Sequence, residues 1–370
     1  MKIKNSDKEY FWCSSCLNMS TRPRIVFNEE GKCNACVWAE RKKNLNWSER
    51  EKELLDLFKK HSNKGPFDLI IPVSGGKDGG YVSYKCKYEY GLNPLCVTIN
   101  PPTRSEIGFR NLENFKKSGY PLIEINLPHE THRLLNKRGF IDQGRPLYGW
   151  TTAIFTAVLR VAKNFGISLI MYGEDGEIEY GGSNDSINSG VFSPEFTKNV
   201  YLEKNYEKTF NELSEADKYF WEFPDLDNYD IEMAHWSYYE DWDPYRNYIV
   251  AKENCGLEEK LDQNTGTYTN FAQNDNYLYD LHTYLMYLKF GFGRATQDAG
   301  IDIRRGAMTR DQAIQLVKLY DDHLPEDYIS YYLEYYKMGE KEFRDTINKW
   351  ANKTLFTYEN GQWKPTFEIV

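Results

Sequence analysis

The chain has 370 residues, with 46 Lys and Arg against 55 Asp and Glu, which gives a formal net charge of −9. This length has room for two or three domains, and an apolar share of 41% excludes a disordered chain. No apolar run approaches the roughly 18 residues of a membrane span, and no apolar segment follows the basic N-terminal residues as in a signal peptide. We therefore expect a cytoplasmic protein with no membrane partner. The acidic balance also disfavours nucleic-acid binding, which depends on neutralising phosphates.

Four cysteines lie close together at the start of the chain. Cys13 and Cys16 are separated by two residues, and Cys33 and Cys36 repeat this spacing after a further sixteen residues. Two such turns complete a tetrahedral set of thiolates, the usual ligands of a structural zinc ion. Disulfides are disfavoured in a reducing cytoplasm, and a redox CxxC motif needs only one pair. We expect a zinc-ribbon-like module over residues 1–45, whose closed metal site carries no chemistry.

A glycine-rich turn follows the first apolar segment. Residues 68–73 are typical of a β-strand, residues 74–80 read SGGKDGG, and a helical pattern runs from about Tyr81 to Tyr90. In this context, glycines let backbone N–H groups approach phosphate oxygens, the helix N-terminus adds partial positive charge, and Lys77 adds a full one. The string is neither a Walker A nor a GxGxxG motif. It resembles the PP-loop SGGKDS of ATP pyrophosphatases, with Gly79 in place of the last serine and Gly80 predicted to loosen the turn.

Strands and helices alternate after this loop. Further segments follow the periods of strands and helices: 92–100, 120–126 and 167–172 as strands, and 106–118 and 147–165 as helices. This alternation predicts an α/β domain with a parallel sheet and right-handed crossovers over residues 46–200, and the resemblance of the SGGKD loop implies a PP-loop (adenine nucleotide alpha hydrolase-like) fold for it. Ligands of such sheets bind at the carboxyl ends of the strands. We therefore expect Ser74 and Gly173 to face one pocket. The nucleotide is assigned to Ser74, Gly75, Gly76, Lys77, Asp78, Gly79, Val97 and Gly173.

An acidic segment bounded by glycines follows the strand at 167–172. Residues 173–182 read GEDGEIEYGG, and their carboxylates can hold Mg²⁺ on a pyrophosphate or orient an attacking nitrogen. The segment resembles the GExxDEx(F/Y)GG stretch of asparagine synthetase, a PP-loop amidotransferase. Glu174 is the first candidate for a functional carboxylate and Glu177 the second. The alternative is a solvated acidic loop.

Aromatic residues crowd the chain from about residue 201. Leucines recur at helical spacing at Leu278, Leu281, Leu285 and Leu288, which predicts a mainly helical region over residues 201–370. Aromatic faces stack on sugar rings, but for a single aromatic residue packing in the core is the favoured interpretation. Asp241, Asp243 and Arg246 are candidates for an acceptor site.

The remaining histidines and cysteines carry no metal motif. His129 and His132 do not form an HExxH pair, and we expect both at the surface. Cys86 and Cys96 are expected as buried small apolar residues, and they and Cys255 lack CxxC spacing.

The ordered set of motifs resembles one family over nearly the whole chain. The cysteine module, the SGGKD loop and the acidic segment are followed by GFGRAT at 291–296 and IRRGAMTR at 303–310. In this order they resemble the N-acetyl sugar amidotransferases of bacterial surface-polysaccharide (O-antigen) biosynthesis, which make acetamidino sugars such as derivatives of pseudaminic and legionaminic acids. The resemblance implies that ATP adenylates the oxygen of an acetamido group with release of pyrophosphate. Ammonia then displaces AMP to give an acetamidine.

The same resemblance implies roles for individual residues and partners. Catalysis is assigned to Lys77, Asp78, Glu174 and Glu177. Mg²⁺ would bridge phosphate oxygens, and arginines would clamp phosphates or a sugar nucleotide, unless they form surface ion pairs: Arg294, Arg304, Arg305 and Arg310. No glutaminase is visible, because position 2 is Lys2 and no GxCxG elbow surrounds a cysteine. Ammonia is therefore expected from solution or from a partner glutaminase, and the resemblance implies a separate glutaminase chain that supplies it for the acetamido-sugar substrate.

Two alternatives remain open. A tRNA-thiolating PP-loop enzyme also carries a zinc ribbon before its loop, but it needs reactive or cluster-binding cysteines, and the net charge of −9 argues against tRNA. A non-catalytic zinc-ribbon scaffold would have no need of the SGGKD loop.

Overall fold

The computed structural model describes residues 10–202 and 206–369. The expectations about Lys2 and about a signal peptide therefore lie outside the described residues. Within the described part of the chain, no helix combines the length and the apolar character that crossing a membrane requires.

A six-stranded sheet forms the centre of the protein, in the order β3-β2-β1-β4-β6-β5. Its neighbouring strands are parallel except at β5, which runs antiparallel to β6. A separate hairpin pairs β7 with β8. The strands are β1 Leu69–Pro72, β2 Pro94–Ile99, β3 Leu122–Ile125, β4 Leu169–Tyr172, β5 Val191–Phe192, β6 Glu232–His235, β7 Phe356–Glu359 and β8 Gln362–Pro365. The parallel sheet with its flanking helices confirms the predicted α/β fold class.

Helices cover both faces of the sheet and make up most of the C-terminal region. They are α1 Asn34–Lys42, α2 Trp47–His61, α3 Lys77–Tyr84, α4 Glu106–Lys117, α5 His129–Gln143, α6 Tyr148–Phe165, α7 Gly176–Tyr180, α8 Pro194–Phe196, α9 Glu215–Lys218, α10 Trp236–Tyr239, α11 Pro244–Cys255, α12 Leu278–Phe290, α13 Arg294–Arg304, α14 Arg310–Tyr320, α15 Ile329–Tyr336 and α16 Glu340–Trp350. A π-helical turn, Lys85–Glu89, continues α3.

Alternate residues of the central strands pack into two separate hydrophobic cores, because successive side chains of a strand point to opposite faces of the sheet. Ile70 of β1 packs in the core that contains α6, whereas Leu69 and Ile71 pack with α2, α3 and α11. The sheet is therefore covered on both sides, as a parallel sheet requires.

The strand order reverses between β1 and β4. From β1 the chain adds β2 and β3 on one side, and β4 then returns to the other side of β1. Two neighbouring parallel strands whose connections leave in opposite directions open a crevice at their carboxyl ends, and this is where open α/β sheets bind ligands. The glycine loop after β1 and the acidic segment after β4 both lie at this point.

The turn after β1 is tighter than the sequence predicted. Helix α3 begins at Lys77, so that Gly79 and Gly80 lie in its first turns, and the expectation that Gly80 loosens the turn is wrong. A Cβ atom at Gly80 would lie 3.0 Å from the Cβ of Ala251 on α11. The missing side chain therefore lets α11 pack directly against α3.

The sheet extends beyond residue 200, where we placed the end of the α/β domain. Strand β6 lies between β4 and β5, and α11 covers the face formed by α3. The four residues of β6, EMAH, are too short for a strand period to be recognised in the sequence.

The environment of one histidine differs from the predicted one. His132 was expected at the surface, but it is 3% exposed on α5, and its ring lies 6.0 Å from that of Trp221. Burial lowers the pKa of His132 to about 3, so the side chain is neutral. His129, one helical turn earlier, is exposed as expected.

Candidate functional site

A cavity of about 280 Å³ lies over the glycine loop, at the crevice between β1 and β4. The loop runs close to α4: Gly75 has a φ of +86°, and a Cβ there would lie 2.7 Å from the backbone nitrogen of Leu112. Only glycine satisfies both constraints. Gly76 then precedes α3 in an extended conformation, which directs the free N–H groups of the helix N-terminus toward the cavity.

Lys77 supplies the full positive charge of the loop. Its side chain is 9% exposed, lines the cavity and donates a hydrogen bond to Asp78. Burial lowers the pKa of Lys77, but the carboxylates of Asp78 and Glu174 outweigh that effect and hold the pKa above its ordinary value. The ammonium group is therefore charged at neutral pH. The second carboxylate oxygen of Asp78, Oδ1, is buried and has no hydrogen-bond partner among the described residues, which leaves it available to a cation or a ligand.

Glu174 enters the cavity from the end of β4. Burial and the neighbouring charge of Asp78 raise its pKa to about 7, while Lys77 opposes the shift. The hydroxyl of Tyr180 donates to Oε1 of Glu174 over 3.4 Å. The preceding residue, Gly173, does not line the cavity itself, but a Cβ there would lie 3.0 Å from the Cβ of Asp78. The two carboxylates meet because this position has no side chain.

Arg294 approaches the loop from the C-terminal region. It begins α13, is 7% exposed, lines the cavity, and forms an ion pair of 2.8 Å with Asp298. The GFGRAT motif fixes this helix start, because the carboxylate of Asp321 accepts hydrogen bonds from the backbone N–H groups of Gly293 and Thr296 over 2.8 and 3.2 Å. The motif therefore sets the position of the arginine.

Apart from Val97, which was among the predicted nucleotide-binding residues and lines the cavity, the rest of the cavity wall was missed by sequence reasoning. Residues 271–275 and Tyr279 close it from the C-terminal side, and burial raises the pKa of Asp275 to about 6. Trp150, whose indole N–H donates to the carbonyl of Ile99 over 2.9 Å, forms an apolar end together with Val97. Residues 271–275, FAQND, match no motif, and only the tertiary fold brings them opposite the glycine loop.

The structure does not bring Glu177 into this cavity. Its carboxylate accepts two hydrogen bonds from Arg24, over 2.9 and 2.5 Å, and a third from the backbone N–H of Ser183 over 2.6 Å. Burial raises the pKa of Glu177, but these hydrogen bonds outweigh it and hold the pKa below its ordinary value. Glu177 therefore joins the cysteine module to the acidic segment.

The other predicted arginines and acceptor candidates also lie outside the first cavity. Arg310 donates to the backbone carbonyls of Cys16 and Cys13, and Arg246 lies over the ring of Tyr81. The remaining candidates border a second, adjoining cavity of about 240 Å³: Asp241, Asp243, Arg304 and Arg305.

The four N-terminal cysteines form a compact, buried cluster. Their ligand atoms all lie within 4.8 Å of one another, with Sγ separations of 3.8 Å for Cys13–Cys36 and 3.7 Å for Cys16–Cys33. A single ion with metal–sulfur bonds of about 2.3 Å places tetrahedral sulfurs about 3.8 Å apart. Asn18 also donates to Sγ of Cys33 over 3.3 Å, as a neighbour of a thiolate does. The cluster fits one tetrahedral metal ion.

The cysteine module is bonded to the acidic segment at several points. The side chain of Asn18 donates to the carbonyl of Tyr180 over 3.0 Å, and that of Asn34 to the carbonyl of Gly182 over 2.8 Å. The indole N–H of Trp38 donates to Glu179 over 2.8 Å. These bonds are buried or partly buried, so they hold the segment that carries Glu174 and Tyr180.

The three remaining cysteines are buried under the glycine loop. Cys86, Cys96 and Cys255 belong to the core around α3 and α11, and none of them lines the cavity. Burial raises the pKa of Cys96 to about 12 and that of Cys255 to about 11. These thiols are therefore protonated and unreactive, and the expectation of small buried apolar residues is confirmed for Cys86 and Cys96.

Comparison with known proteins gives a match in the C-terminal region. Residues 265–369 match a family described as "LPS biosynthesis protein WbpG-like, C-terminal domain". This region provides Arg294 and Tyr279 to the cavity. An uncharacterized protein of Methanocaldococcus jannaschii is 26% identical over 166 residues, which cover 44% of this chain and 58% of that protein. The chain thus spans little more than half of this curated relative.

Two solved structures share limited similarity with the chain. The NMN synthetase of Francisella tularensis has 13% sequence identity and a TM-score of 0.29, over 37% of this chain and 58% of its own. The U34-tRNA thiolase NcsA of Methanococcus maripaludis, solved with its [4Fe-4S] cluster, has 11% identity and a TM-score of 0.35, over 70% of this chain and 77% of its own.

We predict that Glu174→Gln stabilises the protein at pH 8 but not at pH 4. Folding raises the pKa of this carboxyl from 4.5 to about 7. As the pH rises between these values, the carboxyl ionises more readily in the unfolded chain than in the folded protein, so the folded protein becomes less stable. The substitution removes that penalty, on the order of 3 kcal/mol at pH 8. Thermal unfolding without added Mg²⁺ at both pH values measures it. The exposed Glu253→Gln on α11 is the control, and an equal response of the two variants contradicts the prediction.

We also predict that Cys33→Ser lowers both metal content and the melting temperature, because a serine hydroxyl is a poor replacement for a thiolate ligand. Elemental analysis and thermal unfolding measure the two effects. Cys96→Ser, which alters a buried thiol outside the cluster, should keep the full metal content. Equal stability of Cys33→Ser and the unsubstituted protein, or equal metal content, would refute the cluster as a metal site.

Proposed function

We propose that the protein is an ATP-pyrophosphatase-type amidotransferase. In this proposal it converts an acetamido group of a bacterial surface sugar, or of its nucleotide-linked precursor, into an acetamidino group. The observation that carries the proposal is the convergence of Lys77, Asp78, Glu174 and Arg294 on one cavity over a PP-loop-like turn. The similarity of residues 265–369 to a domain of lipopolysaccharide biosynthesis proteins supports a sugar as the substrate.

The chemical character of the cavity suits ATP with Mg²⁺. Lys77, Arg294 and the N-terminus of α3 provide positive charge for the triphosphate. Asp78, whose Oδ1 has no partner among the described residues, would provide a carboxylate oxygen for Mg²⁺, and the ion would neutralise charge on the departing pyrophosphate. The apolar end formed by Val97 and Trp150 suits a planar base. In the same proposal the cysteine cluster holds a structural zinc ion.

The reaction divides a difficult displacement into two easier steps. The acetamido oxygen attacks the α-phosphorus of ATP, an O–P bond forms, and the bond to pyrophosphate breaks. Ammonia then attacks the former carbonyl carbon, the C–O bond breaks, and the oxygen leaves as part of AMP. The nitrogen of ammonia must lose a proton during this step. A carboxyl with a pKa of about 7, such as Glu174, is suited to accept that proton near neutral pH.

Ammonia comes from solution or from a separate glutaminase chain in this scheme. All seven cysteines lie within the described residues, all are buried, and none lines the cavity. The same observation disfavours tRNA thiolation, which needs a reactive thiol or a cysteine-bound cluster beside the nucleotide.

We predict that the protein forms AMP and pyrophosphate from ATP when it is given Mg²⁺, ammonium and a suitable acetamido sugar. The panel contains UDP-N-acetylglucosamine, UDP-N-acetylgalactosamine, CMP-N-acetylneuraminate and the CMP-linked acetamido derivatives of pseudaminic and legionaminic acids. Mass spectrometry should show replacement of an oxygen by NH in the product. Lys77→Ala should lower turnover at least about a hundredfold, because it removes a charge that stabilises the leaving group. The exposed Lys52→Ala is the control, and formation of ADP and phosphate would contradict the mechanism.

The path of the oxygen atom provides a separate prediction. If the acetamido oxygen of the substrate is replaced by its heavy isotope, the label should appear in AMP, because the C–O bond of the adenylated intermediate is the one that breaks. Mass spectrometry of AMP and pyrophosphate measures its distribution. Unlabelled AMP would exclude adenylation of the amide oxygen.

A further inference from the structure

A second cavity of about 240 Å³ adjoins the first cavity over the glycine loop, and Glu174 and Tyr180 lie in the walls of both. We propose that this second cavity binds the acceptor, an acetamido sugar that carries a carboxylate or phosphate group. The inference rests on the proposed function and assigns the acceptor to a place in the fold. It also gives the cysteine module a part in substrate binding.

Four parts of the chain build the second cavity, and one of them is the acidic segment with Glu174, Glu179 and Tyr180. The last turn of α1, directly after the cysteine cluster, contributes Ala39, Lys42 and Lys43. The segment before α11 contributes Trp242, and the end of α13 contributes Arg305. The wall therefore combines the cysteine module, the sheet domain and the C-terminal region. The glycine loop of the first cavity does not contribute to it.

The positively charged side chains of this cavity differ in burial and in their ion pairs with protein carboxylates. Lys42 is 12% exposed and pairs with Glu179 over 3.1 Å, so it belongs to the wall. Lys43 is exposed and makes no ion pair within the described part of the chain. Arg305 pairs with Asp243 over 3.2 Å, and both side chains keep about a third of their surface exposed. An anionic substituent of a ligand can therefore bind Lys43 and exchange with Asp243 for Arg305.

Trp242 provides an apolar surface between these cations and the reacting centre. It is 7% exposed, lines the second cavity, and lies so close to Gly173 that a Cβ there would be 3.0 Å from its ring. An indole face that borders a polar cavity is a suitable contact for the C–H face of a sugar ring. The ring also connects the cavity to the strand end that carries Glu174.

The shared wall fixes where the two substrates meet. In-line attack on the α-phosphorus requires the acetamido oxygen to approach from the side opposite to the departing pyrophosphate. The phosphate loop and Lys77 hold pyrophosphate on the side of the first cavity, so the acceptor must reach the phosphorus from elsewhere. Glu174 and Tyr180 are the residues that line both cavities, and an acceptor in the second cavity places its acetamido group beside them.

The test uses Lys43→Ala, Arg305→Ala and the double variant of the full-length protein. The acceptor is the sugar of the panel above that gives the most AMP with the unsubstituted protein. Calorimetry measures its affinity, and a separate titration measures the affinity for ATP with Mg²⁺. We expect each single variant to lose about tenfold in acceptor affinity and to keep ATP affinity within about twofold. Lys52→Ala, which is exposed on α2 outside both cavities, should match the unsubstituted protein.

A variant that fills the cavity provides an independent check. Ala39→Trp places a large side chain where Ala39 lines the second cavity and should abolish acceptor binding while ATP binding persists. Unchanged acceptor affinity in Ala39→Trp and in the double variant, or loss of ATP affinity in their place, overturns the assignment. These outcomes are distinct from failure of the proposed function. If no sugar of the panel supports AMP formation by the unsubstituted protein, the function itself falls, and the acceptor assignment falls with it.

Discussion

The close approach of two chain segments at the carboxyl edge of the sheet determines which charged groups share the cavity. Gly173, at the end of β4, packs against the Cβ of Asp78 at the start of α3. This approach brings Glu174 beside Lys77 and Asp78, and burial together with the charge of Asp78 raises its pKa to about 7. Charged groups such as Lys77 and Arg294 are shielded from bulk solvent, so each charge counts more than it would in water, and the positions of the surrounding helices maintain the arrangement.

The cysteine module stabilises its own fold and also helps to position the acidic segment beside the cavity. A closed four-thiolate site has no free coordination position, so its contribution is mechanical: it fixes the start of α1 and thereby the side chains that bond to the acidic segment. Asn18 and Asn34 bind backbone carbonyls of that segment, and Arg24 binds Glu177. Glu177 is thus a residue that connects two modules, although its sequence context placed it beside Glu174 as a candidate for chemistry.

Much of the fold was predictable because its signals are local. The strand, glycine loop and helix around Lys77, the strands at 92–100 and 120–126, and the spacing of the four cysteines depend on neighbouring residues, and they appear in the structure with small shifts at their ends. Strand β6 was not predicted, since four residues carry too little periodicity to identify a strand whose partners are distant in the chain. The burial of His132 was missed because helix α5, in which it lies, was not among the predicted elements.

Local sequence was sufficient to identify the residue types of the site: a glycine loop with Lys77, an acidic segment with Glu174, and four clustered thiols. Each consists of consecutive or closely spaced residues, and backbone geometry limits the conformations that such short segments can adopt. The tertiary structure alone decided which charged residues share a cavity, placing Arg294 with the loop and Arg305 in the adjoining cavity. It did so because contacts between segments hundreds of residues apart depend on how helices pack on the sheet, and no local pattern encodes that packing.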